Sequence, residues 1–474
     1  MSLDARHEAA RALLEPFGQA HLLRWWDELD AARRALLLTE IESVAWSTLG
    51  PLIESHVRSK PQVEVPESLS PAPVYPVQPD GRRADEYAEA RRLGEELLAA
   101  GKVAAFTVAG GQGSRLGFDG PKGAVAVTPV GGRTLFELFA AMVLGASERY
   151  GREIPWYLMT SPANHAETHS FLAEHAFFGL PEDRVRLFPQ AMLPAFDFQG
   201  RALLCEKHRL ALAPDGHGGS LTALARSGYL ADMRERGIEI ISYFQVDNPL
   251  VKPFDPLFVG LHAQAEAEMS TKVAQKVDDL ERVGNVCLAD GRVAVIEYSD
   301  FPDSLARKKD ADGRRLFNAG NLAIHLINVA FVDRIVGASF TLPYRRAEKV
   351  VAFVDEGGER MTPESPNAVK LETFVFDALP LARGGVVLEV DRAEEFSPVK
   401  NATGTDSLES SRRDQTMRAC RWLEAAGVAV PKNEDGSPAI TVGIDPRFAL
   451  DSEALSKRVD EIPPMEPGGA IWIE

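Results

Sequence analysis

The stretch from Thr107 to Lys122, TVAGGQGSRLGFDGPK, constrains this chain more than any other. It follows a short apolar run, VAAFTVA (Val103 to Ala109), that reads as a buried strand, and it precedes TLFELFAAMVLGASERY (Thr134 to Tyr150), which reads as an apolar helix. A strand that pours into a glycine-rich loop can converge backbone N–H groups on an anion, because Gly110, Gly111, Gly113 and Gly117 have no side chains to block approach. Arg115 and Lys122 add fixed positive charge beside that nest, so the pattern predicts a phosphate-bearing ligand. Two common phosphate loops are excluded. The Walker pattern needs Gly-Lys-Ser/Thr, whereas the nearby lysine sits in Pro121-Lys122-Gly123; and from Gly111 the glycines fall at Gly113 and Gly117, one residue late for GxGxxG. A tight turn needing positive φ is the plain alternative, and the two cations weigh against it.

Around this loop the chain alternates. Strand-like runs at Trp156 (WYLMT), Val185 (VRLF), up to Val246 (IEIISYFQV) and at Val386 (VVLEV) are separated by helical stretches, HAETHSFLAEHAFF, GSLTALARSGYLADMRERG, DPLFVGLHAQAEAE and NAVKLETFVFDALPLA. This implies a mostly parallel α/β sheet with helices on both faces, and ligands in such sheets bind beyond the carboxyl ends of the strands. Residues 1–80 read as an N-terminal helical region, with Trp25 and Trp26 as core or docking residues, followed by a proline-rich extended linker, Lys60 to Pro79. Residues 81–400 read as the catalytic body and 401–474 as a small C-terminal domain.

Composition narrows the function. At 474 residues the chain can hold two or three domains, and 45% hydrophobic with 26% charged residues is ordinary for a globular protein. A formal charge of −17 argues against nucleic-acid or membrane partners, although a basic pocket can exist inside an acidic protein. Cys205, Cys287 and Cys420 form no disulfide framework, and without a signal-peptide core or membrane span the expected compartment is the cytoplasm. A monomer or weak homodimer is expected.

Three further stretches could carry chemistry. In FQVDNPLVKPFDP, Asp247 follows a strand directly, and a carboxylate there suits Mg²⁺ shared with nucleotide phosphates; an N-cap or Asx-turn role is the alternative. In LAPDGHGGSLTAL, Gly216, Gly218 and Gly219 would let backbone groups approach a flat base, with His217 as a loop histidine of open role. In EEFSPVKNATGTDS, Lys400 follows a Ser-Pro turn and is either functional or solvated surface. His165 and His169 have helical spacing but no third ligand, and read as a solvated face.

Taken together these blocks resemble a known family. AGGQGSRLGFDGPKG matches the LAGGxGTRLGxxxPKG signature of the UDP-sugar pyrophosphorylases, with Ser114 at the usual threonine. MLPAF, LAPDGHGGSLTAL, VDNPLVKPFDPLFVG, ERVGNVCLADGRVAVIEYSD, LFNAGNLAIH, PNAVKLETFVFD and EFSPVKNATGTDS are similar, in order, to the eukaryotic-type UDP-N-acetylglucosamine pyrophosphorylases. The resemblance runs from about residue 15 to 415. It implies a Rossmann-like nucleotidyltransferase core that binds UTP, a sugar 1-phosphate and Mg²⁺. It assigns Ala109, Gly110 and Gly111 to the nucleotide, Gln190 and Gly216 to uracil with His217 beside them, and Asp247 to Mg²⁺. Gly284, Glu297, Tyr298 and Asn318 fall to the sugar; Lys122, Lys370 and Lys400 to phosphates, Lys370 on the sugar side; and Arg115, Lys122 and Lys400 to catalysis.

One residue departs from the pattern. The eukaryotic UDP-N-acetylglucosamine enzymes generally carry asparagine where His217 stands, while UDP-glucose pyrophosphorylases have a GHG turn. UDP-glucose or broad UDP-sugar synthesis is therefore the near alternative, and an inactive nucleotide-sugar binder is the alternative of a different class. Retention of Arg115, Lys122, Asp247 and Lys400 disfavours the inactive binder, and the glycine spacing disfavours an NAD-linked oxidoreductase.

Overall fold

The computed structural model describes residues 1–61, 66, 68–81, 83–337 and 342–474. It contains a ten-stranded mixed sheet whose main path runs Leu69–Pro71, Asn285–Ala289, Ala319–Asn328, Ile240–Gln245, Val103–Val108, Trp156–Thr160 and Val185–Pro189. The last four strands of that path are parallel, and the strand leading into the glycine loop sits inside this parallel half. It is apolar along almost its whole length because both faces are covered, as a central parallel strand requires.

The other half is antiparallel apart from Val387–Glu389, which pairs parallel with Met269–Gln275. Met269–Gln275, Asn285–Ala289, Arg292–Ile296 and Ala319–Asn328 pair with one another with one short helix, Asp303–Ala306, among them, so no strand–helix alternation signals them in the sequence. Of the proline-rich stretch Lys60 to Pro79, residues 62–65 and 67 lie outside the described residues; Leu69–Pro71 pairs with Asn285–Ala289 as an edge strand, where prolines are tolerated.

Local chemistry explains the helices that flank the loop. Leu135–Tyr150 starts on a capping box, with the Thr134 hydroxyl accepting the Glu137 N–H and the Glu137 carboxylate accepting the Thr134 N–H, and ends at Gly151 in the left-handed region. Phe136, Phe139 and Val143 from this helix join Val103, Ala105 and Phe244 from the strands in the largest apolar cluster.

Two expected helices differ from the reading above. GSLTALARSGYLADMRERG is two helices, Gly219–Arg226 and Tyr229–Glu235, because Gly228 adopts a φ of 80° between them. NAVKLETFVFDALPLA is a strand, Ala368–Thr373, followed by a 3₁₀ segment, Val375–Leu381. The strand is paired along its full length with Tyr344–Lys349, and that pairing overrides the helical spacing of its apolar residues.

The chain divides into two compact units: one of Met1–Glu64, Gln190–Ser220 and Thr341–Val375, the other of Val65–Pro189, Leu221–Phe340 and Phe376–Glu474. The smaller unit buries Trp26, Trp46, Leu37 and Ile41 with Phe196 and Leu371. Within the larger unit, the C-terminal segment has its own cluster around Trp422, Leu423, Val442 and Leu455. Among the described residues no helix is long and apolar enough to cross a membrane.

Candidate active site

In the larger unit the glycine loop leaves its strand at Ala109, whose N–H donates to the Met159 carbonyl at 2.7 Å. The loop closes on itself: the Gly113 N–H donates to the Gly120 carbonyl at 2.8 Å and the Lys122 N–H to the Gly111 carbonyl at 3.1 Å. Asn164 fixes it from below. This fully buried amide donates to the carbonyls of Ala109 and Gly111 at 3.0 and 3.2 Å, while its own oxygen accepts from the Ser161 N–H at 2.8 Å. A Cβ built on Gly111 would meet nothing within 4 Å, so that face of the loop is open.

Lys122 and Asp247 come together at the carboxyl ends of two adjacent strands, with Nζ 3.8 Å from the carboxylate. That distance makes an ion pair without a hydrogen bond. Burial pulls the Lys122 ammonium below the ordinary lysine value; Asp247 pushes it back up, and the charges of Lys400 and Arg115 lower it further. Lys122 therefore stands beside one carboxylate and within reach of two further cations. Such a cluster is short of negative charge, and polyphosphate is a chemical match.

The segment bearing Lys400 is stitched to the strand end that bears Asp247. The Val399 N–H donates to the Asp247 carbonyl at 2.8 Å, and the Lys400 N–H to the Asp406 carbonyl at 2.6 Å. Asn248 grips the same segment with its amide, donating to the Glu395 carbonyl at 2.7 Å and accepting from the Ser397 N–H at 3.1 Å. Beneath lies Lys272, fully buried, 2.7 Å from Asp255 and 2.6 Å from Glu395. Asp406 sits close enough to feel both charges: burial raises its carboxyl above the ordinary aspartate value, Lys400 lowers it and Asp247 raises it.

Four of the residues read as sugar-binding, Gly284, Glu297, Tyr298 and Asn318, lie at one end of the antiparallel strands, whereas the fifth, Lys370, does not. A Cβ on Gly284 would lie 3.2 Å from a Glu297 carboxylate oxygen, and the Gly284 carbonyl accepts the Asn321 N–H at 2.8 Å. Asn318 receives the Lys276 N–H on both its carbonyl and its side-chain oxygen, at 3.1 and 3.2 Å, which leaves its NH₂ group to donate elsewhere. Tyr298 is exposed.

The smaller unit holds the remaining candidates. The buried Gln190 amide donates to Asp215 at 3.5 Å. Gly216 has a φ of 85°, and a Cβ there would stand 2.3 Å from the Thr373 carbonyl; the Thr373 N–H in turn donates to the Asp215 carbonyl at 2.8 Å. His217 stacks on Phe374, 5.0 Å between centroids at 4°, and its Nδ1 accepts the Val375 N–H at 3.2 Å. Burial, with help from the Arg345 charge, pulls its pKa to about 4, so the ring is neutral with its proton on Nε2. Lys370 lies half-buried on the strand Ala368–Thr373, opposite Ala347.

Sequence reasoning missed the residues that hold others in place: Asn164, Asn248, Lys272 and Asp215. Asn248 was signalled by adjacency to Asp247; Asn164 and Lys272 lie in stretches without any motif. Among the described residues no group of three or more His, Cys, Asp or Glu could hold a metal by itself. The Asp247 carboxylate, with one long ion pair, keeps acceptor capacity for a hard cation, but the surrounding cations oppose a bare dication. The residues thus fit Mg²⁺ arriving with anionic phosphates.

The sequence profile of the UTP–glucose-1-phosphate uridylyltransferase family matches residues 67–466. Relatives include the UDP-N-acetylhexosamine pyrophosphorylase-like protein 1 of Xenopus tropicalis, 37% identical over 97% of this chain and 91% of its own. The UDP-N-acetylglucosamine pyrophosphorylase of Saccharomyces cerevisiae is 33% identical over 93% and 94%. The crystal structure of the uridine diphosphate N-acetylglucosamine pyrophosphorylase from Trypanosoma brucei, in complex with an inhibitor, superposes with a TM-score of 0.82 at 26% identity, covering 100% of this chain and 98% of the other. With the profile spanning most of the chain and the same nucleotidyltransferase-like fold, the protein belongs to the UTP–glucose-1-phosphate uridylyltransferase family.

Proposed function

We propose that this protein is a uridylyltransferase that converts UTP and N-acetylglucosamine 1-phosphate to UDP-N-acetylglucosamine and pyrophosphate. The observation that carries the reading is Lys122 at the end of the glycine loop, paired with Asp247 at 3.8 Å and close enough to Lys400 and Arg115 to feel both charges. A phosphate oxygen of the sugar 1-phosphate attacks the α-phosphorus of UTP; the new P–O bond forms as the bond to pyrophosphate breaks. The nucleophile is already ionised near neutral pH, so the protein's work is positioning and charge stabilisation.

Ala109, Gly110 and Gly111 carry the nucleotide, and Gln190, Gly216 and His217 lie in the stretches assigned to uracil readout. Arg115, Lys122 and Lys400 take up the negative charge that develops on the transferring and leaving phosphates. Mg²⁺, held by Asp247 and the phosphates, would supply further neutralisation of that charge. Gly284, Glu297, Tyr298, Asn318 and Lys370 serve the sugar phosphate. The NH₂ of Asn318, without a partner among the described residues, suits the carbonyl of a 2-acetamido group, which glucose lacks. The GHG spelling lends no support to glucose, because the His217 ring is engaged within its own unit by Phe374 and the Val375 N–H. A cytoplasmic setting accords with three cysteines that form no disulfide.

The test is pyrophosphate release from UTP with a panel of sugar 1-phosphates, with Mg²⁺ and with excess EDTA. Turnover with N-acetylglucosamine 1-phosphate that EDTA abolishes is expected, and Asn318→Ala should shift preference toward glucose 1-phosphate by about tenfold. Absence of turnover with every sugar overturns the enzyme reading; preference for glucose 1-phosphate in the unmodified protein overturns only the sugar.

A further inference from the structure

The helix Leu408–Ala425 follows the segment that bears Lys400, and its two halves are built differently. In the second half Ala419, Cys420, Trp422 and Leu423 join Val442 and Leu455 in the apolar cluster of the C-terminal segment. In the first half five polar side chains, Ser411, Arg412, Asp414, Gln415 and Arg418, reach out to hold other parts of the larger unit.

These five sort into two strips. At about 100° per residue, Ser411, Asp414 and Arg418 share one line along the helix, and Arg412 and Gln415 share the neighbouring one. The first strip holds the segment that leads to Lys400. There the Ser411 hydroxyl donates to the Ser397 carbonyl at 2.9 Å, the Asp414 carboxylate accepts the Ser397 hydroxyl at 2.8 Å, and Arg418 donates to the Glu394 carbonyl at 3.2 Å. The second strip holds the segment that leaves Lys122: Arg412 donates to the Ala126 carbonyl at 2.8 Å and the Gln415 amide to the Val127 carbonyl at 3.0 Å. Ser397 precedes Lys400 by three residues, and Ala126 follows Lys122 by four. Ser411, Gln415 and Ser397 are buried, so water cannot replace a bond that is lost.

We infer that this helix is a splint that sets the separation of Lys122 and Lys400, with Ser411 and Gln415 as positioning residues for the transfer step. The two lysines belong to segments far apart in the sequence, and their like charges repel. A helix that grips both segments from adjacent strips fixes one against the other before any phosphate arrives to bridge them. Transfer is sensitive to displacements of about 1 Å, whereas charge attraction in binding falls off slowly, so the splint acts on kcat more than on KM. The C-terminal segment, which anchors the second half of the helix, thereby becomes part of the catalytic machinery. This role rests on the uridylyl-transfer reading.

The experiment is a pair of double-mutant cycles on the full chain, with kcat, both KM values and Tm measured for each variant. Ser411→Ala should lower kcat about tenfold with the KM for UTP changed by less than about twofold, yet lower kcat no further when Lys400 is already replaced by alanine. Gln415→Met should behave the same way against Lys122→Ala. Asp414→Asn, which can still accept the Ser397 hydroxyl, should keep most of the kcat that Asp414→Ala loses. An undiminished kcat in folded Ser411→Ala and Gln415→Met chains overturns the splint. Equal losses with and without the lysine overturn it too, because a general loosening of the fold acts on both backgrounds alike. Should Ser411→Ala fail to fold, the Gln415→Met cycle decides. Absence of turnover in the unmodified chain overturns the transfer reading, and the splint with it.

Discussion

Two glycine-rich turns in this protein share a spelling and differ in purpose. In the loop after Val103–Val108, the side of Gly111 where a Cβ would stand is empty space. In the turn at residues 215–219, that space is filled by the protein itself: the Thr373 carbonyl stands 2.3 Å from a Cβ on Gly216, and the Phe374 nitrogen 2.6 Å from one on Gly218. The first turn omits side chains so that something from outside can approach its backbone. The second omits them so that its own unit can close. The charges follow the same division, with Arg115 and Lys122 in the first turn and Lys400 close enough to act on Lys122, and, at the second, a histidine held neutral by burial.

Four substitutions test that contrast. Gly216→Ala should do most harm, and to stability: a positive φ combined with overlap on a backbone carbonyl should cost about 3 kcal/mol, read as a fall in Tm. Lys122→Ala should leave Tm nearly unchanged, because it gives up only a 3.8 Å ion pair, yet lower kcat/KM about a hundredfold. Gly111→Ala should likewise fold normally but raise the KM for UTP about tenfold, since the new methyl group would occupy space the nucleotide needs. A large Tm loss at Gly111, or none at Gly216, would dissolve the distinction.

The smallest effect concerns His217 and pH. Its pKa is about 4 in the folded chain against an ordinary 6.5, so between those values the unfolded chain binds a proton that the folded chain refuses. Stability from this group is complete above pH 6.5 and is lost as pH falls toward 4. From pH 7 to pH 5 the loss is about 2 kcal/mol, and His217→Asn should decline by about that much less in denaturant titrations. His262, also pulled to about 4, contributes equally to both chains and cancels.

Much of the larger unit was legible because its signals are local. Val103–Val108, the glycine loop and Leu135–Tyr150 stand in the sequence as apolar run, glycines and amphipathic continuation, and each element forms there. The antiparallel half was illegible because its strands follow one another almost without helices, and Ala368–Thr373 misled because its pairing partner is remote in the chain. At the site, residues with formal charge beside glycines could be picked out. Asn164 and Asn248 could not, since a buried amide that bonds backbone carbonyls leaves no spacing pattern, only a three-dimensional one.

The buried triad of Lys272, Asp255 and Glu395 has a consequence for how this protein is made. Glu395 lies 123 residues beyond the lysine it neutralises, and 147 beyond the asparagine that holds its carbonyl. A nascent chain that has emerged only as far as the antiparallel strands carries an ammonium in its interior with half its counter-charge and no Lys400 beside Asp247. The centre can therefore be complete only after residues 395–406 have been made, late in translation. Release of activity during synthesis would report that completion, and shortened chains ending before Glu395 should be idle and quickly degraded.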